Sequence, residues 1–160
     1  VCDVADHQDS LEMIRKTGTP TERQAEANQV ISDIEKEFAA LSRQEISSKS
    51  AVYMIWKDPL MTIGGDTFIN DMMHLAGYHN IFRSSKRYPV LSAEELTNAR
   101  PEILMLSSEP YPFAEKHVPY FRKLLPKSQI LLVDGEMFTW YGSRMRLAPK
   151  YFLELRKEWR

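Results

Sequence analysis

The stretch ILLVDGEMFTWYGSR, residues 130–144, decides the fold class of this chain. Its first four residues are apolar, and a short apolar run bounded by turn residues is typical of a strand buried on both faces of a sheet. Asp134 and Gly135 end that strand, and large side chains crowd the loop behind them: Met137, Phe138, Trp140 and Tyr141. Such a loop, at the carboxyl end of a parallel strand, lies where open α/β sheets bind ligands. The alternative is that two of these side chains pack beneath the loop.

The composition is that of an ordinary globular chain. Its 160 residues suffice for one domain with a proper core, and 43% are hydrophobic. The 21 Lys and Arg residues nearly balance 22 Asp and Glu, so no basic patch predicts nucleic-acid binding. The single cysteine, Cys2, permits neither an internal disulfide nor a cysteine-based metal cluster. No apolar run approaches the roughly 18 residues that span a membrane, so we expect no direct membrane insertion.

The first part of the chain predicts a long helix. Residues 1–4 (VCDV) look like the tail of a strand already under way, so we expect further residues upstream. A short helix over residues 9–16 comes next. Thr19 and Pro20 then suit a helix start, with Glu22 completing a capping box. Apolar residues follow at steps of three or four over about 25 residues, or roughly 37 Å of helix: Ala27, Val30, Ile34, Phe38 and Leu41. This helix could join two lobes, with a coiled-coil segment as the alternative.

The remainder alternates between strands and helices. After a polar linker at 47–50, buried strands are predicted at 51–56, 103–106 and 130–133. The first two helices between them begin at Asp66 or Thr67 and at a Ser92–Glu95 capping box. A third follows the exit loop that ends at Phe113 and runs to about Leu125, and the last runs over 143–159. Residues 80–91 are predicted to be a loop.

This alternation predicts an α/β fold, a three-layer sandwich with a mostly parallel central sheet and a long N-terminal helix. The strand exits at 56–64, 107–113 and 134–143 should therefore meet at one edge of the sheet. All three contain aromatic or thioether side chains. The pattern predicts an aromatic ligand cradle rather than a catalytic triad.

The motifs of common enzymes are not present in the sequence. The four histidines form no H-E-x-x-H pair, and no serine lies in G-x-S-x-G. Gly64 and Gly65 lack the rest of a phosphate-binding fingerprint. Asp134 and Glu136 suit a turn residue and a solvated carboxylate better than an acid–base pair. Three glutamates are interpreted mainly as helix caps and exposed charges, any one of which could dock a basic partner: Glu94, Glu95 and Glu109.

Together these stretches resemble the family of periplasmic substrate-binding proteins whose two lobes are joined by one long rigid helix. These proteins serve ATP-binding-cassette (ABC) importers of cobalamin, haem and ferric siderophores. The matching stretches are AVYMIWKDPLMTIGGDT (51–67), AGYHNIF (76–82), YPVLSAEEL (88–96), RPEILMLSSEPYPF (100–113) and VDGEMFTWYGSR (133–144). The resemblance implies that residues 1–46 are the end of an N-terminal lobe and the inter-lobe helix, and that residues 47–160 are the C-terminal lobe.

The resemblance also implies roles for single residues. Tyr88 stands where the family has an aromatic ring against the ligand, and Trp56 or Met61 occupies the first-loop ligand position. Glu136 and Trp140 fall where the cobalamin binder has polar ligand contacts, although Trp140 replaces a basic residue. Glu94 matches an exposed glutamate that pairs with arginines of the importer's membrane permease.

The ligand and the class of function have alternatives. Tyr88, Trp140 and Tyr141 suit cobalamin or haem, whereas three arginines suit an acidic siderophore: Arg83, Arg87 and Arg144. The resemblance implies a periplasmic protein, or one anchored outside the inner membrane, with a small-molecule ligand and no intrinsic cofactor. The alternative to a binding protein is an α/β enzyme, or a stand-alone domain, acting on a tetrapyrrole or nucleotide at the same loops.

Overall fold

A computed structural model describes residues 4–43 and 48–159 of the chain. In chain order the helices of the described part are α1 (His7–Gly18), α2 (Gln24–Ser42), α3 (Phe68–Leu75), α4 (Ala93–Ala99), α5 (Val118–Leu124), α6 (Glu136–Thr139) and α7 (Ala148–Lys157). The strands are β1 (Lys49–Met54), β2 (Leu60–Met61), β3 (Tyr78–Asn80), β4 (Val90–Leu91), β5 (Ile103–Ser107) and β6 (Gln129–Val133). Short 3₁₀ helices, Glu115–His117 and Ser143–Leu147, precede α5 and α7.

The central sheet has four strands in the order β3-β1-β5-β6, and all neighbours are parallel. In its register Ala51 lies opposite Ile103, which in turn lies opposite Gln129. The remaining strands, β2 and β4, form a separate antiparallel pair. The predicted α/β fold with a parallel central sheet is confirmed.

Alternate residues of the strands pack into cores on opposite faces of this sheet, which makes the three layers. Tyr53 and Met105 belong to the core shared with α1, α2, α3, α6 and α7. Met54 and Leu104 belong to the other core, which includes residues of α4 and α5. This alternation follows from the period of two along a strand.

The start of α2 differs from the prediction. Residues 19–23 form a turn after α1, and the helix begins only at Gln24, with no side-chain hydrogen bond at its cap. Glu22 has a φ of 57°, a left-handed conformation that an α-helix cannot contain. The predicted Thr19 cap and Glu22 capping box are therefore wrong. With 19 residues, α2 is about 28 Å long rather than 37 Å.

The helix α2 packs within the helical layer through α1 and α7. Of the apolar stripe predicted for α2, four members are buried, while Ile31 takes the buried position expected for Val30.

The strands also differ from the prediction, at the edges of the central sheet and in the separate β2–β4 pair. Strand β6 lies at one edge, and Leu132 is 37% exposed, so the strand is not buried on both faces as predicted. The predicted loop over 80–91 contains the end of β3 and all of β4. These strands have two or three residues, too few for a readable alternation of apolar and polar positions.

The last helix also begins later than predicted, at Ala148, with Pro149 in its first turn. Proline suits this position because the first amide groups of a helix have no partner inside it. The apolar residues Phe152 and Leu155 of α7 are buried, whereas Leu147, just before the helix, is 48% exposed.

Of the strand tail expected at residues 1–4, residues 1–3 lie outside the described part and Val4 is not in a strand. Of the polar linker predicted at 47–50, Ser47 lies outside the described part, whereas Lys49 and Ser50 belong to β1 because they pair with β3. No described helix has both the length and the hydropathy of a membrane span.

Candidate functional site

Hydrogen bonds tie together the loops that leave β1, β5 and β6. The Tyr111 amide donates to the Ile55 carbonyl at 3.3 Å, joining the first two loops. The Ser108 amide donates to the Val133 carbonyl at 2.9 Å, and the Ser108 hydroxyl accepts from the Gly135 amide at 2.9 Å. The three strand exits thus meet at the carboxyl edge of the sheet, as the parallel topology predicts.

These loops surround a cavity of about 630 Å³. Ten of its fifteen lining residues are aromatic, thioether or aliphatic, and five are polar or charged. Its lining residues are Val4, Ala5, Ile55, Trp56, Met61, Asp66, Thr67, Phe68, Ile69, Arg87, Tyr88, Glu109, Pro110, Thr139 and Tyr141. A mostly apolar cleft of this size with a few polar groups is the usual form of a small-molecule site.

Neighbouring groups hold two of the exposed rings in place. Trp56 packs edge-on against Tyr111, with 5.4 Å between ring centroids, and its indole N–H donates to the Asp58 carbonyl. Tyr141 packs edge-on against the buried Phe68 at 5.8 Å. Trp56 and Tyr141 are nevertheless 39% and 48% exposed, so each ring keeps surface available to a ligand.

A close backbone contact at Gly64 and Gly65 positions Tyr88. The Gly64 amide donates to the Arg87 carbonyl at 2.7 Å, and the Gly65 amide donates to the Ser85 carbonyl at 3.0 Å. A Cβ atom on Gly64 would lie 2.4 Å from the Ser85 carbonyl oxygen, which only glycine avoids. The two glycines therefore let the segment that carries Tyr88 lie directly against the turn.

The loop behind β6 divides its large side chains between the core and the surface. Residues 136–139 form the single turn α6, which directs Phe138 inward against Tyr53 and Phe152 at 5.2 and 4.9 Å. Met137 packs partly buried against the same core. For these two the alternative interpretation, packing beneath the loop, is the correct one.

The other predicted site residues on this loop do not all reach the cavity. Tyr141 lines it, but Glu136 and Trp140 do not. Trp140 lies beside the cavity, where its indole N–H donates to Glu109 Oε1 at 3.0 Å and Arg144 covers its ring at 4.7 Å. Glu136 forms an ion pair with Arg144. On the other loops the predicted residues Trp56, Met61 and Tyr88 all line the cavity.

Glu109 is a cavity residue that the sequence interpretation missed, because it was expected to be a cap or an exposed charge. It lies two residues beyond the end of β5, and its position in a strand-exit loop was the available signal. The Ser107 hydroxyl donates to the Glu109 carbonyl at 2.6 Å and accepts from Tyr53 at 2.9 Å. Burial is the main cause that raises the pKa of Tyr53, so its hydroxyl stays a donor.

Glu94 is exposed in the first turn of α4 and is not among the residues that line the cavity. The capping box there is complete without it, because Ser92 and Glu95 exchange hydrogen bonds as predicted. No group of three or more His, Cys, Asp or Glu side chains among the described residues is arranged to hold a metal ion.

Comparisons with known proteins agree with this architecture. A sequence model of the family described as periplasmic binding protein matches residues 2–118. The possible iron-binding (periplasmic solute-binding) protein of Staphylococcus epidermidis superposes with a TM-score of 0.81 at 20% identity, over 97% of this chain and 63% of that one.

Two Vibrio cholerae structures are also similar in fold. The periplasmic haem-binding protein gives a TM-score of 0.76 at 18% identity, over 92% of this chain and 63% of that one. The periplasmic vitamin B12-binding protein gives 0.69 at 14% identity, over 98% and 65%. The chain thus spans less than two thirds of each of these structures. No curated protein matches it in sequence.

Proposed function

The chain belongs to the periplasmic binding protein family, and on that premise we propose that it is the substrate-binding component of an ABC importer. It captures a bulky metal chelate, namely cobalamin, haem or a ferric siderophore, in the periplasm and delivers it to the membrane permease. The observation that carries this proposal is the cavity at the carboxyl edge of the sheet, walled by rings from separate strand exits.

The wall of the cavity suits a wide and partly planar ligand. Trp56, Tyr88 and Tyr141 present amphipathic rings, and Met61 adds a polarisable thioether. Such a wall binds mainly by stacking and by burial of apolar surface, with few hydrogen bonds. The structures similar in fold include a haem binder and a vitamin B12 binder, which supports this class of ligand.

The proposed domain organisation follows the same comparison. Residues 1–46 are proposed to be the end of an N-terminal lobe and the inter-lobe helix, and residues 47–160 the C-terminal lobe. The similar structures are longer than this chain, which supports a second lobe that completes the cleft. Permease docking through Glu94 belongs to the same proposal, because its carboxylate is exposed on a rigid, capped helix start.

A titration separates this function from an enzyme of the same fold class. The chain is titrated by calorimetry with cyanocobalamin, haemin, ferrioxamine B and ATP. Saturable binding of a metal chelate supports the proposal. Binding confined to ATP contradicts it and favours the enzyme.

A further inference from the structure

The two carboxylates in the cavity wall, Asp66 and Glu109, differ in whether a cation pairs with them. In the cavity wall Arg87 lies beside Asp66, with 4.0 Å between Nε and Oδ2, and the backbone amide of Arg87 also donates to that carboxylate. Glu109 also lines the cavity, and it forms no ion pair among the described residues. Arg144 lies over the neighbouring Trp140 ring, but its guanidinium forms an ion pair with Glu136.

The hydrogen bonds of Glu109 leave part of its carboxylate available. Thr139 and the Trp140 indole both donate to Oε1. Neither donor carries a charge, so the carboxylate is fixed in position but not neutralised. In the described part of the chain, Oε2 accepts no hydrogen bond.

Hydrogen bonds to buried residues fix the backbone of Glu109. Its carbonyl accepts from the Ser107 hydroxyl, which is held in turn by the buried Tyr53. Because the Glu109 side chain is already held in place, ligand binding loses little of its conformational entropy. Its attraction to or repulsion from a ligand therefore adds almost fully to the free energy of binding.

We propose that Glu109 selects the ligand by charge, and this inference rests on the proposed function. The cleft favours a chelate that is cationic or that presents amide N–H groups, and it disfavours one that carries carboxylate or catecholate charge. A cationic group or an amide N–H meets the available oxygen, whereas an anionic group meets an uncompensated like charge. Among the proposed ligands, the amide-bearing corrin fits this cavity and a haem with its two propionates does not.

The test is calorimetric titration of the full chain and of Glu109→Gln with two pairs of probes. One pair is cyanocobalamin and haemin, and the other is the cationic ferrioxamine B and the anionic ferric enterobactin. Glutamine keeps the shape and can still accept from Thr139 and Trp140, so the fold is retained. Glu154→Gln on the exposed face of α7 is the matched control, since it removes the same charge away from the cavity.

Wild-type protein is expected to prefer cyanocobalamin over haemin and ferrioxamine B over ferric enterobactin. Glu109→Gln reduces each preference by about tenfold, and Glu154→Gln leaves both unchanged. As a second measurement, added salt weakens ferrioxamine B binding in the wild type more than in Glu109→Gln. Chelate binding with preferences that Glu109→Gln does not alter overturns the inference and leaves the proposed function standing. Binding of none of the four probes contradicts the proposed function as well.

Discussion

The buried Tyr53 hydroxyl donates to the Ser107 hydroxyl at 2.9 Å, which links β1 to the end of β5. The Ser107 hydroxyl in turn donates to the backbone carbonyl of Glu109 and so holds that residue in place. The core of the domain and a polar residue of the cavity wall are thus one hydrogen-bonded unit.

Tyr53→Phe tests this unit. The substitution removes one buried hydrogen bond while the ring keeps its contact with Phe138, so we expect a loss of about 1 kcal/mol in the free energy of unfolding. Urea unfolding measures the loss. Ligand affinity should also fall, because Glu109 loses support. An unchanged affinity beside the expected loss of stability would show that the unit is structural only.

Phe138 and Trp140 should respond differently to truncation, although they lie two residues apart. Phe138 is fully buried between Tyr53 and Phe152, so Phe138→Ala should cost about 3–5 kcal/mol of unfolding free energy. Trp140 is 44% exposed, and its loss should cost about 1 kcal/mol, from one hydrogen bond and one cation–π contact. Thermal and urea unfolding of both variants give the comparison. Equal costs would contradict the inward and outward assignment of the two rings.

The capping box of α4 makes stability depend on pH. Hydrogen bonds from the Ser92 amide and hydroxyl hold the pKa of Glu95 below its ordinary value of 4.5. A group with a lowered folded pKa stabilises the fold above its unfolded pKa, and that stability is lost as the pH falls through the folded value. Glu95→Gln should therefore be less stable than the wild type near neutrality, and the difference should vanish on acidification below pH 4.5.

Urea unfolding across this pH range measures the effect. Glu94→Gln is the matched control, because Glu94 lies in the same turn without the Ser92 hydrogen bonds. A difference between wild type and Glu95→Gln that is the same at all pH values would contradict the assigned cause.

Glu94 provides the test of the proposed partner. In cells that depend on this protein for uptake, Glu94→Arg should abolish transport and leave ligand affinity unchanged, because it reverses a charge on the docking surface. Glu154→Arg makes the same charge change on the exposed face of α7 and should transport normally. Normal transport by Glu94→Arg would refute the docking role.

The elements that the sequence predicted well are those with a strong local signal. Strand β5 is a run of buried apolar residues, and the α4 capping box needs only Ser92 and Glu95 at the right spacing. The parallel topology then follows from the alternation of strands and helices, and with it the meeting of the loops.

The elements that it missed are set by contacts distant in the chain. β3 is a strand only because β1 pairs with it, and β2 and β4 only because they pair with each other. The start of α2 is determined by the tight turn after α1, where Glu22 is left-handed. For the site, residue type alone could not distinguish Phe138, which α6 directs inward, from Trp140, nor show that Glu109 faces the cavity.

The most direct test of the central claim is calorimetric titration of the chain and of two cavity variants, Trp56→Ala and Tyr88→Ala, with cyanocobalamin, haemin and ferrioxamine B. Both rings are exposed in the cavity wall, so the variants should fold with little change in melting temperature. We predict saturable binding of at least one chelate, weakened about tenfold or more by each substitution. Binding of none of the three, or binding that neither substitution weakens, would contradict a chelate site at this edge of the sheet.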